Sequence, residues 1–455
     1  MPRQFKSVDY ETALDTSVRL RDVLPPDHLA RFVADLVGQL DLADFYARYA
    51  QRGGAPYDPK VLLSLLFYGY ATGVFSSRKI EAATYDNAPF RFLAGHQHPD
   101  HDTIANFRVL FLDLLPDVFV QLLLLAAASG VLQLGGLVLS GDGTKIAANA
   151  SKHQAVSYGY LDKLEQRLRN DITDLLARGA AADAAPLPDG LVIANEIADR
   201  AAQLARLASA RAVLEARAKE RDAAAQAAYE AALREREARA AREGKKPRGR
   251  GPQPPSTSGP QQSDQYNFTD PDSRVMKNPT DAGFSQAYNG QTLVDQASLL
   301  IVGYSLSNHP TDVNELAPTL ESVPQELAVV ATAHDAGFWS ASNAELLENA
   351  GIAGHIATGR VGHGRNWQQE FEPTEPAEPE AGATARERMA LKLRTALGKL
   401  IYRGRKCSVE PVFGIIKAVL GFRQFSLRGQ GKVSGEWCLV CLGYNLKRLH
   451  QLRVG

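Results

Sequence analysis

Cysteine, methionine and tryptophan each occur only three times in 455 residues. Cys407, Cys438 and Cys441 are too few for a disulfide framework, and Cys438-x-x-Cys441 lacks the second ligand pair that a zinc site needs. Lying in an apolar, helix-like stretch, that pair is expected as buried thiols of a reducing compartment. Net charge is missing too: 51 Lys+Arg stand against 51 Asp+Glu, so the total argues for no acidic partner. No apolar run reaches the ~20 residues of a membrane span. The most apolar stretch, 118–132, is cut by Gln121 and Ser129-Gly130 and reads as a core helix. The opening Met-Pro-Arg-Gln-Phe-Lys leads into a charged segment without an apolar run, so no secretory signal is expected. Together these absences point away from secreted and membrane classes and predict a cytoplasmic chain.

The chain is long enough for two or three domains, and its charge is unevenly placed. From Ile401 onward ten Lys or Arg face two Glu, a local excess suited to phosphate groups. Residues 1–132 read as an all-α unit. Pro25-Pro-Asp27 and Asp58-Pro59 open apolar-periodic runs, Ser76-Ser77 caps a third, and Asp102 or Thr103 a fourth. With Arg78, Lys79, Arg91 and Arg108 exposed, this bundle could dock on DNA; an ordinary helical bundle is the equal alternative.

Residues 133–157 hold a first strand, Leu137 to Leu139, ending in a glycine turn at Gly141 and Gly143. Residues 158–243 carry two leucine and isoleucine stripes split by Pro186-Leu-Pro-Asp-Gly190, which predicts a long antiparallel helical hairpin. Residues 244–263 are rich in Pro, Gly and Ser and predict a disordered basic linker. In 264–455 short strands at Gln291–Asp295, Leu299–Ser305, Ala328–Thr332 and Gly351–Thr358 alternate with helices. Those helices are expected at Asn314–Leu320, Ser340–Ala350, Ala385–Leu400, from Glu410-Pro411 past Lys417, and at Gly435–His450. The class is therefore mixed α/β, a sheet covered by helices.

Three carboxylates stand out against this plan: Asp142 at the end of the first strand, Asp335 at the end of another, and Glu410 at a helix start. An all-oxygen set from such positions suits Mg²⁺ or Mn²⁺. Two such ions roughly 3.5–4 Å apart activate a water and stabilise a leaving oxygen in phosphodiester displacement. Asp270 and Asp272 flank a proline as turn residues do. His334 is either a packed histidine or a partner tuning Asp335. Trp339 is either a core anchor or a stacking platform for a base.

The ordered motifs resemble bacterial insertion-sequence transposases of the DDE type, in the insertion sequence 1182-like branch of the insertion sequence 4/5 group. Ser140-Gly-Asp-Gly-Thr-Lys145 resembles the first-aspartate block, and His334-Asp-Ala-Gly-Phe-Trp-Ser340 the second. Val409-Glu-Pro-Val-Phe-Gly-x-x-Lys417 resembles the glutamate block. Thr269-Asp-Pro-Asp-Ser-Arg274 and Ala287-Tyr-Asn-Gly-Gln291 are similar to the blocks after the helical insertion, and Ser76–Arg108 to the helical N-terminal domain.

The resemblance implies an RNase H-like catalytic core with the long helical hairpin inserted after its first strand. It implies two Mg²⁺ or Mn²⁺ ions on Asp142, Asp335 and Glu410, cleavage at transposon ends, and attack of the freed 3′-OH on target DNA. Partners would be double-stranded DNA, as terminal inverted repeats and target, and a second copy in a homodimeric DNA complex; no membrane partner is expected. The family pattern Tyr-x2-Arg-x3-Glu-x6-Lys is met by Glu410 and Lys417. Lys406 has the spacing to the glutamate, while Arg405 has the spacing to Tyr402. All three are expected at phosphates, together with Lys417 and Arg423, and Trp339 is assigned to the DNA surface. Two rivals stand beside this reading: a metal-dependent nuclease that cuts without joining, and a domesticated, non-catalytic DNA-binding protein.

Overall fold

Capping and apolar spacing set the helices that precede the sheet. The computed structural model describes residues 19–49, 56–181, 192–243, 251–255, 258–278, 283–359 and 383–454. Helices α1 (Leu29–Val37), α2 (Ala43–Ala47), α3 (Pro59–Thr72), α4 (Ser77–Asp86), α5 (Ala88–Leu93), α6 (His101–Leu110) and α7 (Leu115–Ala128) come first. Asp58 accepts from Lys60 N ahead of Pro59, Asn87 from Phe90 N, and Asp100 from Thr103 N. The cap of α6 is thus Asp100, two residues before the expected Asp102. Ser76 takes the N-cap position of α4 without a side-chain bond.

Strand β1 runs Leu137–Ala147. The expected glycine turn after Leu139 is not there: β1 continues through Gly141-Asp142-Gly143, paired along its length with the partner strand opposite. After β2 (Ala155–Ser157) come α8 (Tyr158–Ala181) and α9 (Ile193–Glu243), which pack together. At 51 residues α9 is about 75 Å long. The chain returns in β3 (Gln265–Asn267), which pairs antiparallel with β2. The linker expectation falls partly on 244–250 and 256–257, outside the described residues, as do the Pro186–Gly190 break and the first 18 residues. Ser258–Asp264, however, is anchored on α9, Gly259 N donating to Asp222 and Arg221 pairing with Asp264.

Next come β4 (Arg274–Asn278), β5 (Gly283–Asp295), β6 (Ile301–Ser307), α10 (Leu316–Glu321), β7 (Val329–His334), α11 (Ala341–Asn349) and β8 (Ala353–Ile356). The sheet order is β4-β5-β1-β7-β8, with β6 on the later half of β5. β4, β6 and β1 run antiparallel to β5, whereas β7 runs parallel to β1 and β8 to β7.

The last helices are α12 (Ala385–Lys392), α13 (Ala396–Gly414) and α14 (Gln430–Val454). The expected single helix 385–400 is broken at Leu393–Thr395, where Thr395 caps α13 by accepting from Gly398 N. Pro411 does not start a helix. It sits inside α13, whose backbone continues into a π-helical turn, Ile415–Val419. A proline removes one amide donor from the ladder, and α13 nonetheless runs through it.

Helix α14 is buried rather than amphipathic: Trp437, Leu439, Cys441 and Leu446 are wholly inaccessible. Trp437 Nε1 donates to Gln291 O on β5. Cys438 and Cys441 are buried free thiols, as expected, with burial pushing the Cys438 thiol up to about 12. One continuous apolar core joins α1, α3, α6, α7, α14 and strands β1, β5 and β6. Among the described residues no single helix is long and apolar enough to cross a membrane.

Candidate active site

Register brings the two strand aspartates together. β1 and β7 run parallel with Gly141 opposite His334, so the next residue of each chain, Asp142 and Asp335, stands at the same level of the sheet. Glycine at 141 is required by contact: a Cβ there would lie 2.3 Å from His334 Cε1. His334 is fully buried against Phe338, with neither ring nitrogen hydrogen-bonded among the described residues. Burial drives its pKa down to about 3. It is a packed neutral histidine.

The third acid approaches from α13, which lies across β1 and β7. Arg405 Nη1 donates to Asp142 Oδ2 at 2.8 Å, and its Nη2 stands 3.5 Å from Glu410 Oε1. The helix therefore turns Arg405 toward the carboxylates and leaves Lys406 exposed outside. Tyr402 is half-buried over Ala331 and Ala333 on the other side of Arg405, and burial raises its phenol above the usual range. The expected continuity from Glu410 to Lys417 is altered by the π turn. Lys417 Nζ donates to Lys145 O at 2.8 Å, three residues along β1 from Asp142, or about 10 Å. Arg423 donates to Lys417 O and is otherwise exposed. Trp339 packs half-buried beside Phe338, Leu316 and Ala344.

The charges do not balance. Burial lifts the Asp142 carboxyl to about 6, against Arg405, with Asp335 and Asp312 pushing the same way. Arg405 is instead held above its ordinary value despite burial, chiefly by Asp142 and then by Tyr402, Asp335 and Glu410. The two partners do not mirror each other because one guanidinium serves several acids while Asp142 loses its water. Asp312 is a carboxylate that sequence reasoning missed: it sits in a polar turn-like stretch, Asn308–Asn314, with nothing local to single it out.

This donor set is all oxygen with surplus negative charge, the chemistry of a hard divalent cation site. Among the described residues no three His, Cys, Asp or Glu side chains already stand close enough to hold one; Arg405 lies between Asp142 and Glu410 as their present counter-charge.

Two family models match the chain. One, described as Transposase domain (DUF772), covers residues 18–110, and the other, described as Transposase DDE domain, covers 376–450. No curated protein and no solved structure matches. The first model takes in helices α1 to α6 and the second α13 with Glu410 and most of α14, and the two matches together support a DDE-type insertion-sequence transposase.

Proposed function

We propose that this transposase cuts DNA at transposon ends and joins the freed 3′-OH to target DNA, with Asp142, Asp335 and Glu410 as the acids of an RNase H-like core. The observation that carries the reading is the meeting of Asp142 and Asp335 at one level of β1 and β7, with Glu410 reached through Arg405. The mixed sheet supports the core assignment, an antiparallel β6-β5-β1 side joined to a parallel β1-β7-β8 side. The α8–α9 hairpin after β1 supports the insertion sequence 1182-like branch.

Two Mg²⁺ or Mn²⁺ ions bound to these acids would activate a water and stabilise the leaving oxygen. The chain's own part is to hold charge and orient the strand. Asp142 presents its oxygens from paired backbone of β1, a better support than a loop, and Asp335 stands one residue beyond β7 as the N-cap of the turn Ala336–Phe338. Arg405 carries a planar fork that suits a phosphate, and with Tyr402 it flanks the acids. Lys417, Lys406 and Arg423 extend positive charge along the path from the acids. Such contacts are salt-dependent and blind to sequence. Trp339, half-buried, would offer the DNA only its exposed edge. Cutting two ends calls for two sites, so a homodimer assembled on the inverted repeats is the proposed working form.

The test is cleavage and joining of labelled element-end DNA with Mg²⁺, comparing wild type with Asp335→Ala. Joined products that vanish in the variant are expected. Cleavage without joining in the wild type would favour the nuclease; binding without chemistry, across several divalent ions, would leave a DNA-binding remnant.

A further inference from the structure

Asp312 lies between β6 and α10, and three donors converge on its Oδ1: Asn289 Nδ2 at 2.7 Å, Gln291 Nε2 at 2.7 Å and Lys145 Nζ at 3.3 Å. Asn289 and Gln291 are buried on β5, and the Lys145 side chain is 15% exposed. This is a built pocket, not a surface turn. Two glycines frame it. A Cβ on Gly143 would stand 2.3 Å from Gln291 Nε2 and 2.6 Å from Asp312 Oδ1, so it would disturb the carboxylate together with one of its donors, and one on Gly337 would stand 3.5 Å from Asp312 Oδ2. Gly143 directly follows Asp142. Gly337 lies two residues after Asp335 and donates its N–H to Asp335 Oδ1 at 2.8 Å. A single carboxylate therefore closes on the backbone that follows Asp142 with one oxygen and faces the turn that follows Asp335 with the other.

We infer that Asp312 is a positioning residue that sets the separation of Asp142 and Asp335, by wedging between Gly143 and Gly337 while Lys145, Asn289 and Gln291 fix its orientation. The inference rests on reading that aspartate pair as cation-holding acids. A side chain at Gly143 would push the wedge out, since interiors are close-packed and respond to one added methyl, whereas a Cβ at Gly337 would reach only ordinary contact with Asp312 Oδ2. What the position requires is the shape of an aspartate and an acceptor at Oδ1. Asparagine supplies both, because its carbonyl oxygen accepts from the same donors. A direct cation ligand would instead require the negative charge, so the two roles separate at Asp312→Asn.

The experiment is Mn²⁺ titration of the full chain by calorimetry without DNA, with Asp142→Ala as the control that loses binding. Asp312→Ala is expected to weaken Mn²⁺ binding about 10-fold or more, the scale on which outer supports of a metal site act, with Asp312→Asn within about twofold of wild type. Gly143→Ala, which keeps Asp312 but displaces its Oδ1, should reproduce the loss and decides the matter if Asp312→Ala does not fold. Wild-type affinity in Asp312→Ala or in Gly143→Ala would overturn the wedge. So would an Asp312→Asn variant as weak as Asp312→Ala, which would make Asp312 a ligand. A wild type that binds no Mn²⁺ would sink the cation reading itself, and the wedge with it.

Discussion

A methyl group at position 141 would meet both Cε1 and Nδ1 of a histidine that cannot move, since His334 is wholly enclosed between β1 and its neighbours. Gly141→Ala is therefore expected to cost about 1–3 kcal/mol, the usual price of overpacking a filled core. Gly431→Ala, where an added Cβ meets nothing within 4 Å, should be neutral or slightly stabilising in urea melts; equal losses in both would refute the contact argument. A second residue-scale test concerns the segment that carries Asp312. His309 Nδ1 lies 2.8 Å from Glu315 Oε1, and the Glu315 side chain is 3% exposed. That hydrogen bond raises the His309 pKa above its ordinary 6.5. A histidine raised in the folded state contributes stability that is full below the unfolded pKa and fades as pH rises through the folded one. His309→Gln should accordingly destabilise the chain more at about pH 5.5 than at about pH 8.5, on either side of the ordinary histidine pKa. A loss that is the same at both would show that the pair matters only through packing.

At the scale of elements, helices were the legible part. Apolar spacing with Asp or Ser caps and early prolines located α1, α3, α4 and α6 to within a few residues, and the two later stripes located α8 and α9. Strands were harder wherever they were polar. The first half of β5 buries Gln286 and Asn289, side chains that read as loop until their partners across the sheet are known. Gly141 and Gly143 read as a turn because glycine's commonest local use is a turn; here they are tertiary, making room for His334 and for Gln291 with Asp312. The same holds for Pro411, whose place inside α13 depends on a helix that starts at Thr395. Of the site, Asp142, Asp335 and Glu410 were readable as acids in unusual settings. The orientation of Arg405 over Lys406 was not, because it needs the phase of α13 against β1. The element with most at stake is α14. Trp437 packs on Gly290, where a Cβ would stand 2.9 Å from its Cε2, and donates to Gln291 O. Trp437→Ala should cost about 3–5 kcal/mol, while Trp437→Phe, losing the hydrogen bond and part of the ring, should cost less. Chemical denaturation of both variants ranks them, and the reverse order would mean the indole hydrogen bond outweighs the packing.

At the scale of the whole molecule, two regions relate to the sheet in opposite ways. Helices α1 to α7 have no core apart from it: α3 and α7 lie against α14, and Phe119 packs edge-on to Tyr304 of β6. The hairpin is different. Val156, Leu161, Leu207 and Leu214 form a small cluster of their own with Tyr158, Tyr266 and Phe268 around them. Its two stems leave the sheet side by side, since Ser157 of β2 stands opposite Gln265 of β3. Beside this cluster, ion pairs of Arg217 with Asp272 and Arg221 with Asp264 tie α9 back, and pairs of that exposure contribute little. Replacing 158–264 by a two-residue Asn-Gly turn would close β2 and β3 into an ordinary hairpin. That shortened chain is expected to melt cooperatively, within a few degrees of the full chain. A fragment beginning at residue 133 would instead expose the apolar faces of α14 and fail to fold. Circular dichroism melts of the two shortened chains separate the possibilities. A cooperative melt of the 133–455 fragment, or loss of folding on excising the hairpin, would reverse this division of labour. If the shortened chain still binds Mn²⁺ but no longer assembles on element-end DNA, the hairpin belongs to DNA grip or pairing of copies, and the acids stand independent of it.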